Sequence, residues 1–189
     1  MMDPGEEAAL VQSAQNGDQA AFAEIVRCYQ RAVYRVAYGL TRNASDADDL
    51  AQETFLRAWQ ALGRFRVGEP LYPWLSRIAV NLSFSLHRHR RRRPEESIEP
   101  LVEAGRQWGV QDDPADRAER NEHGRQLREA MAELKPEHQT VLVLRAVEDL
   151  PYDEIARVLN VPVGTVMSRL SRARVELKQR LRARTGESK

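Results

Sequence analysis

Cysteine is nearly absent from this 189-residue chain, where Cys28 stands alone, so no intrachain disulfide framework can exist. Its place among apolar residues on a helix predicts a small core residue. Long apolar runs are missing too, and with them any candidate membrane span. The opening MMDPGEEAAL has neither the basic start nor the apolar stretch of a signal peptide, so a soluble cytoplasmic protein without membrane insertion is expected. Also lacking are carboxylates clustered at metal-ligand spacing, a phosphate-cradling glycine loop and a nucleophile beside a base; the chain reads as a non-enzyme with no metal and no cofactor. No segment alternates like a strand, and no heptads suggest a dimerisation seam.

Net charge is only +1, but the balance hides segregation along the chain. The run from His87 to Arg93 is strongly basic, whereas Pro94 to Glu119 carries eight acidic residues against Arg106 and Arg117. Local charge decides partners, not the total. The acidic stretch is broken by Pro94, Pro100, Gly105, Gly109 and Pro114, so it reads as a linker. Helical period dominates on both sides. Asp18 caps a long helix to about Leu40, Ser45 with Asp48 makes a capping-box-like start for a helix to Leu62, and Pro73 fits the first turn of the next. Beyond the linker, helices are expected near Asp116–Leu134, Pro136–Val147, Pro151–Leu159 and Pro162–Arg182. The fold class is all-α: two small helical domains, 1–93 and 116–189, joined by an acidic linker, 94–115.

The last two helices form a docking unit. Ile155, Ala156 and Leu159 make an inner face, and Asn160 tolerates the left-handed corner that a helix-turn-helix usually assigns to glycine. On the next helix Val166, Leu170, Ala173, Leu177 and Leu181 share one stripe; Gly164, Ser168, Ser171, Arg172 and Gln179 fall opposite, with Arg169 and Arg174 on the flanks. Small residues for close approach, hydroxyls for phosphates and arginine for guanine are what a helix in the major groove needs. A solvated amphipathic helix is the plainer alternative.

In the N-terminal half, DADDLAQETFLRAW buries Ala47, Leu50, Ala51, Phe55 and Ala58, leaving Asp49, Gln52, Glu53, Leu56 and Trp59 on the far side. Acids beside exposed apolar anchors suit a basic protein partner, the alternative being packing within the domain. Next, Phe65, Tyr72 and Trp74 accompany Arg66, Arg77 and Asn81. Aromatic platforms and arginines suit single-stranded nucleic acid, although Tyr72 and Trp74 are equally at home in a core. His87 and His89 alternate like metal ligands, but the adjacent arginines would repel a cation.

Four stretches carry a resemblance: AxxGDQAAFAEIVxxY from Ala14, DADDLAQETFLRAW, PWLSRIAVN, and LPYDEIARVLNVPVGTVMSRLSRAR. In this order and spacing the chain, from about Glu7 to Arg182, resembles an extracytoplasmic-function sigma factor, a compact specificity subunit of bacterial RNA polymerase. The resemblance implies partners: core RNA polymerase through its clamp helices and flap, promoter DNA, and an anti-sigma factor. It assigns Asp49, Gln52, Glu53, Leu56 and Trp59 to the polymerase, and Arg66, Gly68, Glu69, Trp74, Arg77 and Asn81 to a flipped minus-ten base. Arg145, Gly164, Thr165, Ser168, Arg169, Ser171 and Arg172 fall to the minus-thirty-five element, and the regulon implied is one of stress or envelope response. Met167 stands where the family commonly has a basic residue, Val67 to Leu71 departs from its usual small polar loop, and Asp149 takes a turn position often held by glycine. A stand-alone helix-turn-helix regulator acting as a dimer is the competing reading, and a nucleic-acid enzyme a third.

Overall fold

Side-chain caps place the first helices. In a computed structural model that describes residues 2–92 and 124–185, α1 (Pro4–Gln15) begins where Asp3 accepts the Gly5 N–H at 2.9 Å, and Pro4 sits in its first turn. Asp18 accepts from the N–H groups of Ala20 and Ala21, 2.9 and 3.2 Å, and so starts α2 (Gln19–Thr41). That helix stops at Arg42, which is left-handed at φ 54°. Asn43 then has the extended backbone of a cap, and its side chain accepts the Asp46 N–H at 3.0 Å to open α3 (Ala44–Ala61). The cap is therefore Asn43 and not the expected Ser45, because the left-handed turn ends two residues earlier than the capping-box pattern implied.

A single 3₁₀ turn, Leu62–Arg64, and an exposed loop, 66–70, lead into α4 (Leu71–Arg92). The linker expected at 94–115, and the first residues of the helix expected from Asp116, lie outside the described residues. The second domain comprises α5 (124–132), α6 (Pro136–Leu142), α7 (Tyr152–Leu159) and α8 (Val163–Thr185). α6 runs on into a wider π-type turn, Val143–Val147, closed by Glu148 N–H to the Val143 carbonyl at 3.2 Å. Among the described residues there is no strand, and no helix is long and apolar enough to cross a membrane.

Each domain buries its own stripe: Ile25, Val33 and Val36 of α2 against Phe55, Leu71 and Leu75 in the first, Leu144, Ile155, Val166 and Leu170 in the second. The two cores are continuous. α2 and α4 pack against the π-type turn and α7, so the domains are docked rather than held apart on a tether. Cys28 is exposed, contrary to the expectation of a core residue. The buried stripe of α2 runs through Ala21, Ile25, Tyr29 and Val33, and position 28 precedes Tyr29 by one residue, about 100° round the helix.

Gly39 is a point of close approach between the domains. A Cβ there would lie 2.9 Å from both γ-carbons of Val143, nearer than carbon atoms pack. Gly39→Leu is therefore expected to force the domains apart at a penalty of about 1–3 kcal/mol for overpacking. Small-angle scattering reads this as a larger radius of gyration with helical circular dichroism preserved. Unchanged scattering would mean that the interface adapts.

Candidate polymerase and nucleic-acid interfaces

The outward face of α3 is built by elimination. Ala47, Leu50, Thr54, Phe55 and Ala58 turn inward, and Thr54, a polar residue absent from the expected stripe, is buried with its hydroxyl donating to the Leu50 carbonyl at 2.7 Å. Asp49, Gln52, Leu56 and Trp59 are exposed and Glu53 is half-buried. Leu56 is 59% accessible, high for a leucine on a helix that has a core to join. Trp59 rests one side of its ring against Phe22 of α2, centroids 4.8 Å apart, and offers the rest to solvent. Gln52, Leu56 and Trp59 line a groove between α2 and α3 together with Phe22, Val26 and Tyr34. The groove has an apolar floor with Asp48, Arg31 and Arg35 among its lining residues, a shape that can receive apolar side chains, while the acids Asp49 and Glu53 stand on the same helix outside it.

The second cluster lies around the loop before α4. Arg66, Gly68 and Glu69 are all exposed. The Glu69 N–H donates to the Arg66 carbonyl at 3.1 Å, closing a tight turn in which Gly68 has φ +89°; an L side chain there would be strained. Along α4, Trp74, Arg77 and Asn81 fall at i, i+3 and i+7, on one face. Arg77 and Asn81 are exposed, and Trp74 is half-buried with its ring 4.9 Å from that of Phe65. The exposed loop 66–70 thus leads directly into the helix that carries Trp74, Arg77 and Asn81. Tyr72 does not join them: it is buried, and its hydroxyl donates to Glu148 at 2.5 Å, so it is no platform for a base.

In the second domain Val166, Leu170 and Ala173 are buried while Gly164, Ser168, Ser171 and Arg172 are exposed, and Thr165 and Arg169 are half-buried. Asn160 makes the expected left-handed corner at φ 53°, ψ 50°, and Asp149 is left-handed as well, at φ 51°. Ser168 donates to the Thr165 carbonyl at 3.0 Å. Met167, 54% accessible, places an apolar side chain on the exposed surface among these polar residues. Arg145 is drawn into a different cluster. Its Nη1 meets the Asp149 carboxylate at 2.6 Å and the carbonyls of Asp149 and Leu150, and its guanidinium lies over the Tyr152 ring. That side chain fastens the turn before the helix-turn-helix, because the left-handed Asp149 brings three acceptors within its reach.

A polar network between the domains was not legible in the sequence. The Glu148 side chain is only 1% accessible and accepts two parallel bonds from Arg35, at 2.8 and 2.7 Å, besides that from Tyr72. Burial, and then the hydrogen bond to Glu148, pushes the Tyr72 hydroxyl well above the usual phenol range. Tyr29, stacked on Tyr72 with centroids 6.0 Å apart, is raised in the same way by burial and by its bond to Glu7. An acidic residue beside a turn reads as solvated; only the docking of the domains buries it.

Comparison with known proteins gives these faces a context. Residues 25–93 match the model of Sigma-70 region 2 and residues 124–177 that of Sigma-70 region 4. The chain is 33% identical over 182 residues to the ECF RNA polymerase sigma factor SigW of Bacillus subtilis, covering 91% of this chain and 95% of the relative. It is 35% identical to the RNA polymerase sigma-H factor of Pseudomonas aeruginosa, covering 92% and 93%. Among solved structures, CnrH in complex with the cytosolic domain of CnrY is similar with a TM-score of 0.72 at 29% identity, over 94% of this chain and 98% of that one. The sigma factor RpoE in complex with the anti-sigma factor NepR from Bartonella quintana follows at 0.67 and 26%, over 85% and 96%. With both regions matched in order and curated relatives aligned almost end to end, this chain belongs to the extracytoplasmic-function sigma factors of the sigma-70 family.

Proposed function

We propose that this sigma factor grips core RNA polymerase through the α3 face and reads two promoter elements with its two domains. The observation that carries the reading is the pairing, on one chain, of an accessible apolar groove at Gln52, Leu56 and Trp59, beside the exposed Asp49, with a separate helix-turn-helix whose polar face is open. A helix-turn-helix regulator needs no such groove. Loop 66–70 with Trp74, Arg77 and Asn81 captures an unpaired minus-ten base, and Gly164, Ser168, Ser171 and Arg172 lie in the major groove of the minus-thirty-five element. The protein performs no chemistry of its own; it supplies binding energy for local melting inside a cytoplasmic holoenzyme, at promoters of a stress or envelope-response regulon.

The docked domains set a condition on that role. Elements about 25 base pairs apart are separated by about 85 Å of duplex at 3.4 Å per step, whereas a compact globule of this length has a radius of gyration near 16 Å, roughly. Promoter engagement therefore requires the domains to part. An anti-sigma partner is proposed to favour the docked form and to cover the α3 groove, in keeping with the similar structure of the sigma factor RpoE in complex with the anti-sigma factor NepR.

Replacing Leu56 and Trp59 together by Ala is expected to weaken core binding by at least about 2 kcal/mol, the scale of a hot spot, with helical content preserved. Wild-type affinity in a pull-down would return those side chains to an internal role. Tight promoter binding by the wild-type chain without core polymerase would favour the stand-alone regulator.

Arg172→Ala is expected to cost ~1–3 kcal/mol on the matched upstream element and much less on a scrambled one, as loss of a bidentate guanine contact would. An equal loss on both, shrinking as salt rises, would reassign Arg172 to phosphate.

A further inference from the structure

Both ends of the loop 66–70 are tied to α1, a helix that precedes the matched Sigma-70 region 2. At the entry, the Gln15 side-chain amide donates to the carbonyl of Leu62 at 2.9 Å and to that of Phe65 at 2.7 Å. Both acceptors are carbonyl oxygens, so only the NH₂ end of the amide can face them. At the exit, Glu7 Oε1 accepts the N–H of Leu71, the first residue of α4, at 3.0 Å. Its other oxygen accepts the hydroxyl of buried Tyr29, which fixes the carboxylate in place. The N–H at a helix start has no partner within its own helix; here one is supplied from 64 residues away in sequence.

Between these two anchors, every residue of the loop is exposed. Its conformation is therefore decided at its stems, apart from the one internal bond from Glu69 to Arg66. Accepting one base and rejecting three demands a pocket whose walls do not move to suit the wrong base, since backbone left free would be ordered anew on each binding event. Phe65, whose carbonyl Gln15 holds, also packs its ring on Trp74, so the same anchor sets an aromatic neighbour of the loop.

We infer that Gln15 and Glu7 are positioning residues for minus-ten base selection, holding the reading loop at its two stems without touching DNA. The inference rests on loop 66–70 being the base-capturing element. The decisive measurement is holoenzyme binding to single-stranded non-template oligonucleotides carrying each of the four bases in turn at every minus-ten position, with core affinity measured in parallel. Gln15→Ala and Glu7→Ala are expected to lower the ratio of best to worst base by about tenfold, the scale of one or two lost hydrogen bonds, while core affinity stays at the wild-type value. Glu7→Gln keeps an acceptor for Leu71 and is expected to retain most of the ratio. This rescue separates positioning from general damage to the fold.

Glu69→Ala and Val67→Ala, made within the loop, test the underlying reading. If they leave base preference unchanged at every position, the loop is not the reader and that reading falls. If they alter it while Gln15→Ala and Glu7→Ala do not, the loop reads but α1 does not position it, and the inference alone is overturned. A loss from Gln15→Ala that is equal for all four bases, or that tracks weakened core binding, overturns it as well.

Discussion

A carboxylate removed from water must find cationic or hydrogen-bonding partners, and Glu148 is the residue on which the docked structure turns. Its side chain is almost inaccessible and takes a fork of two bonds from Arg35 of α2 and one from Tyr72 of α4. Breaking such a set by removing one partner leaves a buried charge uncompensated, which is worse than never having buried it. The contact is therefore directional: it holds only when α2, α4 and the turn after α6 meet in one arrangement. Arg35 remains about half accessible, so the pair is also within reach of solvent and can be dismantled from that side.

The network does not stop at the domain boundary. Tyr72 stacks on Tyr29, Tyr29 donates to Glu7, and Glu7 holds the N–H of Leu71. A single run of contacts, one of them a ring stack, thus connects the inter-domain carboxylate with the exit of the loop assigned to the minus-ten base. Coupling through such a chain requires an element with two arrangements that both ends bias. The docked form and the separated form proposed above supply one. When the domains part, Tyr72 loses its acceptor in Glu148, and the start of α4 rests on Glu7 and the core of its own domain.

Much of this was legible because it is local. The inward stripe of α8, the left-handed corner at Asn160, the tolerance of Asp149 for a positive φ and the exposed face of α3 all follow from period and backbone preference within a few residues. What escaped turned on a backbone turn, on a single position at the edge of a stripe, or on partners remote in sequence. Asn43 displaced Ser45 as a cap because Arg42 turned left-handed first. Cys28 fell one position outside the stripe that Tyr29 occupies. The bond from Arg145, which the resemblance assigns to the minus-thirty-five element, to the Asp149 carboxylate was not foreseen. Gln15, Glu7, Arg35 and Glu148 look like ordinary solvated polar residues until partners 22 to 113 residues away close around them.

The division of labour within α4 follows from the same geometry. Its inward side, Leu75, Ser76, Ala79 and Val80, is fully enclosed, so the helix cannot rotate without emptying the core, and Trp74, Arg77 and Asn81 inherit a fixed direction from the packing of that inward side. A helix needs no further help to present a face, because its backbone bonds are internal and its stripe is packed. A five-residue loop has neither advantage. Side chains proposed to read a base from α4 are oriented by burial behind them, whereas those proposed to read from the loop depend on hydrogen bonds delivered to its stems, and those bonds come from α1.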